Sequence, residues 1–417
     1  MRQYEQAGAL TVTQSRDAIR QRIEAINDVE CAGLGGALGR VLAEDIVAPM
    51  DVPAADNSAM DGYALPGKLL EIEAPLRLKI AANAFAGHAH SGLIGPGECI
   101  AITTGALLPQ GCDTVVPQEL ALEVTSTHVT LPAHAVARGA NRRLAGEDLQ
   151  RGALVLSRGK ILRPADIGLL ASLGIAEVTV SRRLRVAFFS TGDELRSIGD
   201  ALDPGCVYDS NRYTLHAMLT RLGCEVIDLG VVRDDPDALE ATLRKACAEA
   251  DAIVTSGGVS VGAADYTRQI MAKLGAVDFW KIAMRPGRPM AFGRIASEGK
   301  SAYLFGLPGN PVAVMVSFYM IARDALLHLA GAQNAPLPLI SIPSRAPIRK
   351  LPGRTEFQRG FLVPDEEGRL TVSLTGPQGS GILRSMSEAN CMVVLAHERG
   401  DVQAGEAVDV MLFDGLI

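Results

Sequence analysis

The 417 residues are 48% hydrophobic, 21% charged and only 4% aromatic, a composition that describes a globular chain with a large aliphatic core and argues against global disorder. The length exceeds one core, since cores stop growing near ~250–300 residues, so two to four domains are expected. A formal charge of −7 argues against a broad electrostatic footprint for nucleic acid, and an anionic substrate would need a local basic pocket.

The seven cysteines are scattered and form no C-x-x-C pair, which predicts reduced thiols buried as small core residues. No basic segment followed by an apolar stretch opens the chain, and the longest apolar run, Val312 to Ala322, falls short of the ~18–20 residues that span a bilayer. The expectation is a soluble, cytoplasmic protein with no membrane partner.

In chain order, Ala18, Ile19, Ile23 and Ile26 recur at helical spacing after Thr13, a candidate N-cap. From about 48 to 145 the text turns to short apolar runs cut by Pro and Gly, such as Leu76 to Ala81 and Cys99 to Thr103, the pattern of a β-rich module. A helix from Pro164 to Gly174 follows. It is expected to pack beside the first helix, making one mixed helical domain of residues 1–47 and 146–180 with the β-rich module, 48–145, inserted.

Between 181 and 331 strands and helices alternate. Strand-like runs lie at Leu184–Phe189, Glu225–Leu229, Ala252–Thr255, Val277–Ile282 and Tyr303–Leu307, and helices at Thr214–Leu222, Pro236–Ala248, Ala264–Leu274 and after Pro311. This predicts an α/β domain with a mostly parallel sheet, whose ligands sit at the carboxyl ends of the strands. A Pro-rich stretch then leads into short alternating runs from 336 to 417, read as a small β-barrel or sandwich. The fold class is therefore α/β multidomain.

The strongest local signal is Ser256-Gly257-Gly258-Val259-Ser260-Val261-Gly262, between a strand and a helix. Its glycines let backbone amides approach an anion, and the helix N-terminus and two serine hydroxyls add donors. It matches neither the dinucleotide nor the P-loop fingerprint, and such a turn can also be no more than a tight turn. Glu194, in Ser190-Thr191-Gly192-Asp193-Glu194, Asp234 and Asp265 occupy neighbouring strand-to-helix turns. A parallel sheet brings them to one edge, where hard carboxylate oxygens beside a phosphate site suit Mg²⁺; helix N-capping is the alternative for Asp234 and Asp265. Lys281, Arg285 and Arg288 surround a Pro-Gly turn and supply cations that bind phosphate or a tetrahedral oxyanion, unless they form a solvated basic turn. Asn310, in Leu307-Pro308-Gly309-Asn310-Pro311, is a cap or a ligand contact. Asp61-Gly62 and Thr103-Thr104-Gly105 read as ordinary turns. Arg354 to Gly360 and Gly376 to Gly381 are weaker candidates for ligand-facing loops.

Together, DNSAMDGYA (56–64), TTGALLPQGCDTVVPQE (103–119), STGDEL (190–195), RDDP (233–236), SGGVSVGAADY (256–266), FWKIAMRPGRP (279–289), GLPGNP (306–311) and FQRG (357–360) resemble the molybdopterin molybdenumtransferase family, which includes bacterial MoeA and the E domain of gephyrin. The resemblance implies a four-domain homodimer in which Asp61 and Thr104 reach the cleft of the other subunit. It implies that adenylyl-molybdopterin and molybdate are the substrates, that a divalent metal assists, and that AMP and the molybdenum cofactor are released. The family's functional positions fall on Asp61, Thr104, Glu194, Asp234, Asp265, Lys281, Arg285, Arg359 and Ser380. A molybdopterin adenylyltransferase is a possible donor of substrate and molybdoenzymes possible recipients of product. Arg285 and Arg288 stand where the family commonly has Lys; charge is kept and donor geometry changed, which leaves molybdate against tungstate open. The competing readings are a molybdopterin adenylyltransferase, which shares the glycine turn and carboxylates on a single domain, and a non-catalytic gephyrin-like scaffold.

Overall fold

The computed structural model describes residues 8–258, 265–333 and 336–413, with the side chains of 265 and 266 outside the described set. Its central unit is a six-stranded sheet in the order Glu225–Val232, Arg185–Thr191, Ala252–Ser256, Lys300–Leu307, Pro289–Ser297, Gly275–Lys281. The first four strands are parallel and the last two antiparallel to their neighbours. Alternating side chains of the fully buried strands serve two faces, as a parallel strand covered on both sides requires. Val186 and Phe188 join a core with helices Ser210–Arg221 and Pro311–Ser317. Ala187 and Phe189 join one with helices Pro236–Glu249 and Asp265–Leu274.

The strand Pro289–Ser297 has no counterpart in the sequence reading. Its partner Gly275–Lys281 reverses through residues 282–288, and two successive antiparallel pairings return Gly275–Lys281 to the direction of the parallel strands. The loop 282–288 therefore reaches the same sheet edge as the strand carboxyl ends.

The first helix, Val12–Arg20, is capped by Thr11 rather than Thr13. The Thr11 hydroxyl accepts from the Gln14 amide while the Gln14 side chain accepts from the Thr11 amide, a reciprocal capping box that satisfies two otherwise orphaned donors. Its apolar face, Val12 and Ile19 continued by Ile23, packs into the core of the central unit against Arg323–Leu329. The helix Pro164–Ser172 instead sits over a small separate core of Leu42, Ile46, Leu156, Leu170 and Val180. The chain on either side of the β-rich module does meet, through Val29–Gly33 pairing with Glu177–Ser181 and Ile46–Val47 with Leu154–Leu156. Strands make that junction, not the two helices.

The β-rich module is a six-stranded mixed sheet in which Leu76–Ala84 and Glu98–Ile102 run parallel and the other pairings are antiparallel. In the C-terminal unit Thr355–Pro364, Cys391–Leu395, Ala407–Leu412, Ile340–Pro343 and Leu370–Leu374 form a sheet whose ends meet through a Ser344–Val372 bridge, closing a small barrel around Val393, Val402 and Val410. Its first partner is borrowed: Met284–Arg285 adds in parallel to Thr355–Glu356. Helical structure continues from Pro311 through Leu329, long and apolar enough to cross a membrane by length and composition, but 78% of its apolar window is buried inside the molecule. It is the inner helix of the core.

Candidate active site

The carboxyl edge of the central sheet opens into a cleft of about 1030 Å³ closed on its far side by the C-terminal barrel. Glu194, Asp234, Gly257, Gly258, Arg285, Arg288, Asn310 and Ser380 all line it. A parallel sheet delivers side chains from distant positions to one edge because every strand ends there, and the hairpin at 282–288 brings the arginines to meet them.

The glycine turn forms the floor. Gly257 has φ +91° and Gly258 φ +70°, and a β-carbon on Gly257 would lie 2.5 Å from the Thr191 carbonyl oxygen. Only glycine fits this approach. Ser256 lies beneath the surface, 2% exposed, its hydroxyl accepting at 2.8 Å from the Asn211 side-chain amide. Ser260 and Gly262 lie outside the described residues, as does the Asp265 side chain; the backbone of Asp265 opens the helix Asp265–Leu274.

One capping question is settled by Asp235. It caps the helix Pro236–Glu249 by accepting from the Ala238 amide at 2.8 Å, so Asp234 is not needed there and lines the cleft, its amide donating to Asp193. Asn310 likewise makes no side-chain cap bond on the helix it precedes and remains on the cleft surface. Glu194 folds back over Gly192, where its carboxylate occupies the space a β-carbon would take. These are hard oxygen donors of the kind Mg²⁺ uses. Among the described residues no three acidic, His or Cys side chains are grouped closely enough to hold a metal.

Positive charge comes from the opposite wall. Arg285 and Arg288 flank Gly287, whose φ of +99° and hypothetical β-carbon 2.3 Å from Ser317 Oγ leave no room for a side chain. Arg285 stands 3.9 Å from the buried Glu356, which also takes a 2.8 Å contact from Arg354. Arg359 is fully buried and its guanidinium bonds within the protein: Nε donates to Ser385 Oγ and Nη2 to the Gly379 carbonyl, at 2.9 and 3.0 Å. Burial, with the nearby charge of Arg285, lowers its pKa to about 10, so it stays charged at neutral pH. Arg359 thus fixes the loop that presents Ser380, and the Ser380 carbonyl accepts from the Val312 amide at 3.0 Å, tying that loop to the helix Pro311–Ser317.

Lys281 ends its strand opposite Pro289 at the cleft edge but does not line the cavity. Asp61 and Thr104 are not brought to it either. They form an exposed pair on the β-rich module, where Asp61 Oδ1 accepts from the Thr104 amide at 2.6 Å and its hydroxyl at 2.8 Å. These bonds, the backbone one first, hold the Asp61 carboxyl below its ordinary pKa. Asp209 and Asn211 line the cleft and escaped the sequence reading, which began the helix at Thr214. The helix spans Ser210–Arg221 and Asp209 caps it, accepting from the Arg212 amide; an Asp-Ser-Asn sequence just before an apolar helical pattern was the available signal.

Three family models cover the chain: the MoeA N-terminal region (domain I and II) at residues 10–174, a probable molybdopterin binding domain at 187–328, and the MoeA C-terminal region (domain IV) at 341–413. The chain is 40% identical to the molybdopterin molybdenumtransferase of Haemophilus influenzae over 98% of its length and 100% of that protein's. It is 35% identical to the one of a Nostoc species over 94% of this chain and 90% of the relative. The crystal structure of the molybdopterin biosynthesis MoeA protein from Pyrococcus horikoshii OT3 superposes with a TM-score of 0.81 at 29% identity, covering 97% of this chain and 100% of that one.

Proposed function

Because the chain belongs to the MoeA family, we propose that it is a molybdopterin molybdenumtransferase, which takes adenylyl-molybdopterin and molybdate and yields AMP and the molybdenum cofactor. The observation that carries this reading is the cleft itself, where a glycine-lined floor, two arginines, Glu194 and Asp234 line one cavity. Such a site binds a large anion while keeping carboxylates beside its phosphates. The Gly258 amide, on a floor kept open by the missing side chains of Gly257 and Gly258, cradles a phosphate, and the guanidinium forks of Arg285 and Arg288 hold phosphate and molybdate oxygens, each charge-assisted bond contributing about 1.5–3 kcal/mol net. Asn310 and the loop of Ser380 bound the substrate on the barrel side, and Lys281 supplies further positive charge at the rim.

Glu194, Asp234 and Asp265 would hold a Mg²⁺ ion, which when bound neutralises charge on the phosphates and polarises the phosphorus for attack by water. Attack on the adenylate phosphorus breaks the anhydride and frees AMP. The protein's own contribution is to hold the anhydride against the glycine floor and to orient the water from a carboxylate.

The proposal includes a homodimer. Asp61 and Thr104 are exposed on an outer module that also exposes Met60, Phe85 and Leu107, a surface suited to face a second copy's cleft rather than solvent. Seven unpaired thiols support a reducing, cytoplasmic location. A molybdopterin adenylyltransferase would supply the substrate and molybdoenzymes receive the product. The test is AMP release from adenylyl-molybdopterin with Mg²⁺, with and without molybdate, coupled to activation of a cofactor-free molybdoenzyme. Molybdate-dependent release with activation is expected; tight binding without release would mark a scaffold.

A further inference from the structure

The cleft floor is made of two turns that are distant in sequence, Ser256-Gly257-Gly258 and Pro308-Gly309-Asn310, and they touch. A β-carbon on Gly309 would lie 3.7 Å from Gly257 Cα, and the Gly257 amide donates to the Leu307 carbonyl at 3.1 Å. The strands that end in these turns already pair in parallel up to Ser256 and Leu307, and beyond the end of that ladder one side chain bridges the turns themselves. Asn211, 6% exposed, points its amide nitrogen between the two turns and donates to Ser256 Oγ at 2.8 Å and to the Gly309 carbonyl at 2.6 Å.

We propose that Asn211 is a positioning residue for the reaction read from this cleft: a clasp that sets the spacing of the two turns and registers both against the first turn of helix Ser210–Arg221. The chemistry of the side chain suits the task. A short, uncharged carboxamide carries two N–H donors on one nitrogen, and its two acceptors here belong to different turns. The bond to Ser256 is buried, where it is stronger than in water and where its loss strands an acceptor, while the bond to the Gly309 carbonyl is part-buried. Asp209 fixes the base of the clasp, because its cap bond to the Arg212 amide pins the helix turn from which Asn211 projects. The phosphate cradle at Gly257 and Gly258 and the turn that presents Asn310 thereby move as one body. Substrate needs no contact with Asn211 for this to matter, since an error of about 1 Å in the seat of a reacting group costs on the order of a hundredfold in rate.

The inference rests on the transferase reading, and the experiment separates the two. Asn211→Leu keeps nearly the same volume and removes both donors; Ser256→Ala removes one arm; the pair is also combined. Hydrogen–deuterium exchange of peptides covering 255–258 and 307–310 is measured in each full-length variant, together with kcat and KM for AMP release. With the clasp as proposed, Asn211→Leu speeds exchange in both turns while leaving exchange in the barrel and the β-rich module unchanged. It lowers kcat about 10- to 100-fold, with KM within about threefold. Ser256→Ala has a smaller effect, and the double variant behaves like Asn211→Leu alone, because the Ser256 arm acts only through Asn211. Unchanged exchange in both turns, or a double variant whose losses multiply, overturns the clasp. A wild-type protein that releases no AMP overturns the transferase reading instead, and the exchange data still decide whether Asn211 holds the turns together.

Discussion

Asp61 shows how a residue that reads as an ordinary turn acquires a specific electrostatic state. Its carboxylate is held below the usual range by the Thr104 amide and hydroxyl. A depressed carboxyl pKa means that the stabilisation is present above the unfolded-state value and is lost as pH falls through the lower, folded-state one. Thr104→Val removes the hydroxyl and keeps the amide, so the Asp61 midpoint should rise part of the way toward an unperturbed carboxyl when followed by NMR through an acid titration; an unmoved midpoint would show that the hydroxyl contributes nothing. At Gly257 the constraint is steric. Gly257→Ala places a methyl 2.5 Å from the Thr191 carbonyl in a backbone conformation that alanine disfavours. It should cost about 1–2 kcal/mol of stability from the left-handed backbone alone, and AMP affinity measured by calorimetry should fall at least tenfold, since the cradle must open to admit the methyl.

At the scale of elements, the loop of Ser380 depends on a buried cation. Arg359 carries Ser385 and Gly379 on its guanidinium, and its backbone carbonyl and amide are clasped by Gln378. Arg359→Ala deletes these side-chain bonds and leaves a cavity, so the barrel's urea transition should lose about 2–4 kcal/mol. Arg359→Lys should recover only part of this, because a single ammonium cannot reproduce the planar fork. Full recovery by Lys would show that charge, not geometry, is what the loop needs. The same element explains why the barrel and the sheet share a cleft: Met284–Arg285 is a strand of the barrel sheet and the start of the basic turn at once.

For the whole molecule, the separation of Asp61 and Thr104 from the cleft of their own chain makes a quantitative prediction. Asp61→Ala and Glu194→Ala should each abolish turnover, yet subunits mixed at equal ratio and exchanged should recover about a quarter of wild-type activity. A symmetric dimer with shared sites leaves one intact site in each mixed dimer, and mixed dimers are about half the population. No recovery after confirmed exchange would place both residues in the same site and end the case for a shared one.

Local patterns carried far into this fold. The alternation of apolar runs and helical periods located the parallel strands of the central sheet, most clearly Arg185–Thr191, Ala252–Ser256 and Lys300–Leu307, because a strand buried on both faces is written in contiguous apolar residues. The glycine turn, the carboxylates and the basic turn were legible for a related reason: their chemistry depends on residue type at short spacing. What tertiary structure decided was which of these meet. Pro289–Ser297 is interrupted by Pro and Gly and shows no clean period, so the hairpin that aims Arg285 and Arg288 at the sheet edge was invisible. The amphipathic face of Val12–Arg20 states that it buries something and not what, and it chose the central core over its expected partner. Arg359 and Ser256 carry side chains that the fold buries and bonds internally, which residue type alone does not announce. Asn211 is one amide in a helix until Ser256 and Gly309, 45 and 98 residues away, are folded onto it. Residue identity sets what a group can do; only long-range packing sets what it does it to.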